Sequence, residues 1–166
     1  GRHLLHVEHL DGGVTLGFGA GRDGGVVHSV TADLLVAADG IHSAARQQSY
    51  PHQGPPRWNG ALLWRGAVEH EPLLDGRTMV WAGHPRQKFI AYPIRDLPDG
   101  RQLLNFIAEL RTVDAGPGGL APAAKEDWNR AGVLADVLPH FASWRFGWLD
   151  VAEVLTSAPG TFVFPM

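Results

Sequence analysis

Two stretches constrain this chain most, "KFIAYPI" (88–94) and "LLNFIAEL" (103–110), because each has the length of a strand and is apolar in both phases. Phe89, Ala91 and Pro93 alternate with Ile90, Tyr92 and Ile94; Leu104, Phe106, Ala108 and Leu110 oppose Leu103, Asn105, Ile107 and Glu109. Successive side chains on a strand point to opposite faces, so both faces of this sheet are largely apolar. An antiparallel sheet with one wet face alternates more cleanly. Something must therefore cover each face. Two helix patterns near the C-terminus can cover one, and the other wants a ligand pocket, another domain or another subunit.

The remaining elements arrange themselves around that sheet. Leu4–Leu10, Val14–Phe18 and Val26–Val30 read as short strands, with Asp11-Gly12-Gly13 and Asp23-Gly24-Gly25 as turns. This meander runs into "LLVAADGIHSAARQQ", in which Leu34–Ala38 reads as a buried strand and Ser43–Gln48 as a helix capped by His42 or Ser43. A Pro/Gly-rich linker, residues 49–60, separates these parts from four strands at Ala61–Val68, Thr78–Ala82, Lys88–Ile94 and Gln102–Leu110. "DAGPGGLAPA" is a second break; "KEDWNRAGVLADVLPHF" reads as a helix ending near Pro139, and "GWLDVAEVL" as a shorter one. The closing Phe162-Val163-Phe164 is an apolar strand without an obvious neighbour. The fold class is α+β: a small meander with one βα unit, then a mostly antiparallel sheet with helices on one face.

Composition removes several functions. In 166 residues the net charge is −3 and no Lys/Arg cluster occurs, which argues against nucleic acid or an anionic membrane as partner. With no cysteine there is no disulfide, thiolate nucleophile or Cys-based metal site. No apolar run approaches a membrane span and no signal-peptide pattern is present, so the cytoplasm is the default location. His3, His6 and His9 are spaced to alternate between strand faces, so no metal site is assigned. The chain starts with Gly and enters a strand pattern at once, which fits either a trimmed chain or an internal piece of a longer protein.

Asp39-Gly40 by itself is an ordinary turn. At the end of a buried strand, however, a carboxylate can accept from ribose hydroxyls, and glycine lets backbone approach a phosphate. The helix start and Arg46 add positive charge there. Ser43 has no paired base and reads as a cap, not a nucleophile. Trp64, Trp81, Tyr92 and Phe106 are core aromatics by default; Trp64, Tyr92 and Phe106 are the candidates for an aromatic-substrate pocket. No catalytic acid or base is assigned.

The segment "ADLLVAADGIHSAARQQ" resembles the Asp-Gly motif of the FAD-dependent aromatic hydroxylases, the p-hydroxybenzoate and salicylate hydroxylase-like group A monooxygenases, with Asp39, Gly40, Ser43 and Arg46 at the motif positions. "LLWRGAVE" looks like the family's Trp-Arg-Gly strand, "FIAYPI" like its Tyr-Pro strand and "EDWNRAG" like its Glu/Asp-x-Trp helix start. "DGRTMVWAG" and the C-terminal region look closest to the phenazine-modifying branch, the 5-methylphenazine-1-carboxylate 1-monooxygenase type.

The resemblance implies FAD as cofactor, NAD(P)H as co-substrate, and hydroxylation of an aromatic substrate by O₂ through a flavin C4a-hydroperoxide. Asp39, Gly40, Ser43 and Arg46 are then cofactor contacts, residues 1–50 part of a Rossmann-like FAD-binding domain, and residues 51–166 the substrate-binding domain. The family begins with a strand and Gly-x-Gly-x-x-Gly, neither of which is read in this chain, and the chain ends before the family's later Gly-Asp motif. The expectation is an internal piece, inactive alone and prone to self-association. The alternatives are a non-enzymatic binding module descended from such an enzyme, or another flavoprotein such as a halogenase or epoxidase.

Overall fold

A computed structural model describes residues 2–21, 23–114 and 129–166. They form two compact units, Gly1–Pro56 and Arg57–Met166.

The first unit is built on an antiparallel sheet of β1 (His3–Leu10), β2 (Gly13–Gly19) and β3 (His28–Ala32), in that order. Asp11-Gly12 closes the first hairpin, with Leu10 opposite Gly13 and Gly12 at φ 88°, where a side chain would be strained. Thr15 and Thr31 join their hydroxyls across β2 and β3 at 3.0 Å. The helix α1 (Ala44–Ser49) follows.

Leu34–Ala38 corrects the sequence reading. It belongs to no sheet, and Leu34 and Val36 are 77% and 78% exposed. Five apolar residues favour burial, but a strand also needs a neighbour for its backbone N–H and C=O groups. Among the described residues none pairs with it, so the expected βα unit reduces to an unpaired segment and α1.

The second unit carries a five-stranded, wholly antiparallel sheet of β4 (Ala61–His70), β5 (Val80–His84), β6 (Gln87–Asp96), β7 (Gln102–Arg111) and β10 (Phe162–Pro165), ordered β10-β4-β7-β6-β5. The C-terminal apolar strand thus finds its neighbour in β4. Two helices, α2 (Leu134–Phe141) and α3 (Val151–Ser157), pack with one face of this sheet, and a two-residue pair of strands, β8 (Arg145–Phe146) and β9 (Leu149–Asp150), lies between them in the chain.

That face is packed by alternating size. Phe106 of β7 lies opposite Gly66 of β4 and Ala91 of β6, and Phe89 lies opposite Ala108. Each ring therefore stands beside the smallest side chains of the next strands. Phe89 and Phe106 stack with centroids 6.1 Å apart, and Phe141 of α2 closes on Phe89 at 6.0 Å. Val137, Val151, Val154 and Leu155 complete a buried core from the helices.

The helix expected over residues 125–141 starts at Leu134 instead. Ala131 bridges Phe162, and Gly132 N–H donates to the Thr161 carbonyl at 2.8 Å, so this stretch serves as a short partner of the final strand. Most of the second expected break, and Trp128 of the Glu/Asp-x-Trp pattern, lie outside the described residues. No helix among the described residues is long and apolar enough to cross a membrane.

Candidate functional site

The Asp-Gly turn is organised by one carboxylate. Asp39 Oδ1 accepts from the Ser43 hydroxyl at 2.5 Å, and Oδ2 accepts from the backbone N–H groups of Ala44 at 2.7 Å and Ala45 at 3.3 Å. Ser43 is the N-cap, its Oγ accepting from Arg46 N–H at 2.9 Å. Gly40 has φ 82°, which aims its carbonyl at Ser43 N–H, 3.0 Å away. The Ser43 hydroxyl, and then the amides of Ala45 and Ala44, hold the Asp39 carboxyl below the usual aspartate range. Arg46 folds back, its guanidinium donating to the Ile41 carbonyl.

Gly40, Ser43 and Arg46 line an open groove of about 530 Å³, with Asp33, Leu35 and Tyr50 among the other walls. A Cβ at Gly40 would meet nothing within 4 Å, so the backbone there is open to an approaching group. Asp39 does not line the groove; three of its acceptor positions are spent on the turn itself. Contrary to the sequence reading, the spacing of the dinucleotide fingerprint does occur, in Gly-Ala-Gly-Arg-Asp-Gly at 19–24. The element that follows β2 is the strand β3 and not a helix, so the match has no helix start to offer a phosphate.

In the second unit the sheet face away from the helices carries a different pattern. Ile90 of β6 and Ile107 of β7 form a half-buried apolar centre, continued by Arg65 and Phe162 on one side and Trp81 on the other in the same cross-strand row. One row along, Asn105 sits between Ala67 and Tyr92. On the far side Glu109 lies beside Lys88, joined by an ion pair of 2.6 Å with the carboxylate almost fully buried. Arg65 Nε donates to Asn105 Oδ1 at 3.1 Å, and no ion-pair partner of its guanidinium occurs among the described residues. Asn105 is 4% exposed and its Nδ2 has no partner. A buried donor left unmade costs about 1–3 kcal/mol.

The three pocket candidates therefore part company. Trp64 and Phe106 are buried on the helix-covered face, within the core, while Tyr92 alone stands half-buried on the open face. Strand phase separates them, since Gly66 and Trp64 pair with Phe106 and Ala108, and Tyr92 pairs with Asn105. Sequence reading passed over Arg65, Lys88, Asn105 and Glu109. The available signal was the spacing of Asn105 and Glu109, two polar residues four apart in an apolar strand, which places both on one face. Among the described residues no three His, Asp or Glu side chains gather as a metal site.

No family model matches the chain. It is 35% identical to the phenazine 1,6-dicarboxylic acid hydroxylase PhzS of Lysobacter antibioticus, over 100% of this chain and 40% of the relative. It is 30% identical to the 3-amino-4-hydroxybenzoate 2-monooxygenase PtnB3 of Streptomyces platensis, over 93% of this chain and 34% of that protein. The chain thus spans about two-fifths or less of the length of these relatives. Among solved structures, HpxO of Klebsiella pneumoniae, complexed with FAD and uric acid, superposes with TM-score 0.58 at 22% identity, over 99% of this chain and 37% of its own. The 2,6-dihydroxypyridine-3-hydroxylase of Arthrobacter nicotinovorans gives TM-score 0.58 at 18% identity, over 99% and 43%. Along its whole length the chain is related to the FAD-dependent aromatic hydroxylases.

Proposed function

We propose that this chain is part of an FAD-dependent monooxygenase that hydroxylates an aromatic ring, with NAD(P)H as reductant and O₂ as the source of the oxygen. The observation that carries this reading is the sequence relation, over the whole of this chain, to part of a phenazine hydroxylase, joined to an Asp-Gly turn beside an open groove. Tyr92 on a sheet face that no helix covers is consistent with it.

FAD, when bound, supplies the oxygen-transfer chemistry, and the protein's part is placement and exclusion of water. In the first unit Gly40 gives the pyrophosphate side of the cofactor room to approach, and Ser43 and Arg46 stand in the same groove wall. Asp39 acts through them, holding the turn and helix start in place by its three hydrogen bonds. The apolar segment Leu34–Ala38 is assigned to a Rossmann-like domain, where a neighbouring strand would pair with it. In the second unit Tyr92, Ile90 and Ile107 offer a ring-sized apolar floor for the substrate, with Trp64 and Phe106 supporting the sheet from behind.

The test is made on the full-length gene product. FAD should copurify, and aromatic compounds should stimulate NAD(P)H oxidation with a hydroxylated product visible by mass spectrometry. A flavin-free protein, or one without ring-dependent turnover, would overturn the reading. The 166-residue chain alone is expected to bind FAD weakly and to lack this activity, because it spans only about two-fifths of the length of its phenazine-hydroxylase relative. Micromolar FAD affinity of the chain alone would contradict that expectation.

A further inference from the structure

We propose that β5 is a docking edge for a second copy of this chain, which pairs with it antiparallel about a twofold axis at Trp81. The two edges of the five-stranded sheet are finished differently. Beyond β10 the chain supplies its own cover: Val163 N–H donates to the Arg130 carbonyl at 2.9 Å, Gly132 N–H donates to the Thr161 carbonyl at 2.8 Å, and Ala131 bridges Phe162. Beyond β5 no strand pairs among the described residues. The two-residue turn Pro85-Arg86 makes His84 and Gln87 the closing pair of the β5–β6 hairpin. Counted back along the alternating ladder, Val80 and Ala82 turn their backbone groups toward β6, and Trp81 turns its N–H and C=O outward. Such an edge is ordinarily guarded by a charge, a proline or a bulge. Val80–His84 holds no lysine, arginine, carboxylate or proline, and its pairing with β6 runs without a register shift.

What this edge presents suits its own copy. Trp81 is 66% exposed, and Met79, two residues before it, is 56% exposed. The twofold register that sets Trp81 opposite Trp81 of the second copy also sets Met79 opposite Gly83 and Val80 opposite Ala82. Those larger side chains then meet smaller ones, as Phe106 meets Gly66 within the sheet, and the two indoles form a cross-strand aromatic pair. Residues 78–83 are uncharged, so no like charges face each other along the contact. Two buried tryptophans contribute roughly 300–500 Å². A stable complex needs about 1,200–2,000 Å². The pairing is therefore weak and reversible, held by backbone hydrogen bonds and the indole pair, and it forms as concentration rises.

The experiment sediments the full 166-residue chain carrying Leu34→Lys and Val36→Lys, which remove the exposed apolar pair of the first unit. A monomer–dimer equilibrium is expected. Trp81→Pro deletes the outward N–H while leaving the bonds to β6 in place, and should weaken the dimer at least tenfold. Trp81→Lys keeps the backbone, adds a guarding charge, and should do the same. The register has its own readout, because the chain contains no cysteine. Across the twofold the Cα atoms at position 81 stand about 5.5 Å apart, within reach of a disulfide. Those at position 79 are four residues out of step, about 13 Å. Oxidation is therefore expected to cross-link Trp81→Cys at least tenfold faster than Met79→Cys. A monomer at every concentration, a dimer indifferent to both Trp81→Pro and Trp81→Lys, or equal cross-linking at the two positions overturns the inference.

Discussion

Asp39 shows how a residue suited to one task is engaged in another. Its carboxylate takes the Ser43 hydroxyl and two backbone N–H groups that α1 would otherwise leave unpaired. Ser43→Ala removes the N-cap acceptor as well as a donor to Asp39, and should destabilise the first unit by about 1 kcal/mol, read from chemical denaturation. The Asp39 carboxyl is depressed in the folded chain, principally by Ser43. A carboxyl of that kind contributes stability above its unfolded pKa and loses it as pH falls through the folded value. The Ala44 and Ala45 amide signals should therefore hold steady down to the usual aspartate range and move only below it. A midpoint at or above that range would refute the hydrogen-bonded arrangement. The helix cap was legible in the sequence, because a Ser before an Ala-rich polar run has little else to do. The use of Asp39 was not, since an Asp-Gly pair looks the same whether its oxygens face a ligand or the next turn.

Elements whose burial and pairing agree were the easiest to foresee. β4, β6 and β7 emerged within a few residues of expectation, because long apolar runs with turn residues between them have one antiparallel solution. Leu34–Ala38 misled for the opposite reason: apolar periodicity reports the wish to be buried and says nothing about the strand that must lie alongside. Likewise the residues before α2 carry helix-compatible types, but residues 130–132 are claimed by Thr161, Phe162 and Val163. Strand phase also divides the pocket candidates, as Trp64 and Phe106 lie in the helix-covered core and Tyr92 on the opposite face. The core offers a sharp test. A Cβ on Gly66 would stand 2.7 Å from the Phe106 ring and 2.9 Å from the Gly160 carbonyl oxygen. Gly66→Ala should cost about 1–3 kcal/mol in the second unit, through overpacking. An unaltered urea midpoint would show that the ring has room to retreat.

At the scale of the molecule, exposed apolar surface is the property to follow. Leu34 and Val36 are mostly solvent-exposed in the first unit, and Trp81 and Phe162 are 66% and 49% exposed in the second. Apolar patches of this kind mark surfaces that seek a partner. We expect the chain to self-associate with rising concentration, and Leu34→Lys combined with Val36→Lys to reduce that association measurably in light scattering. A monomer at every concentration would remove the expectation, and association unaffected by the two lysines would move it to the second unit.

The pairing of β10 with β4 has a consequence for how the protein is made. Every described strand pair in the first unit joins residues between His3 and Ala32, so that sheet can close as soon as this short stretch has been made. The second sheet is different, for Val163 must reach Trp64 before β4 has a neighbour on that side. Until Phe162–Pro165 have left the ribosome, β4 is a bare edge, and edges of that kind accept strands from other nascent chains. A chain lacking Phe162–Pro165 would be more than shorter: it would keep that edge open for good.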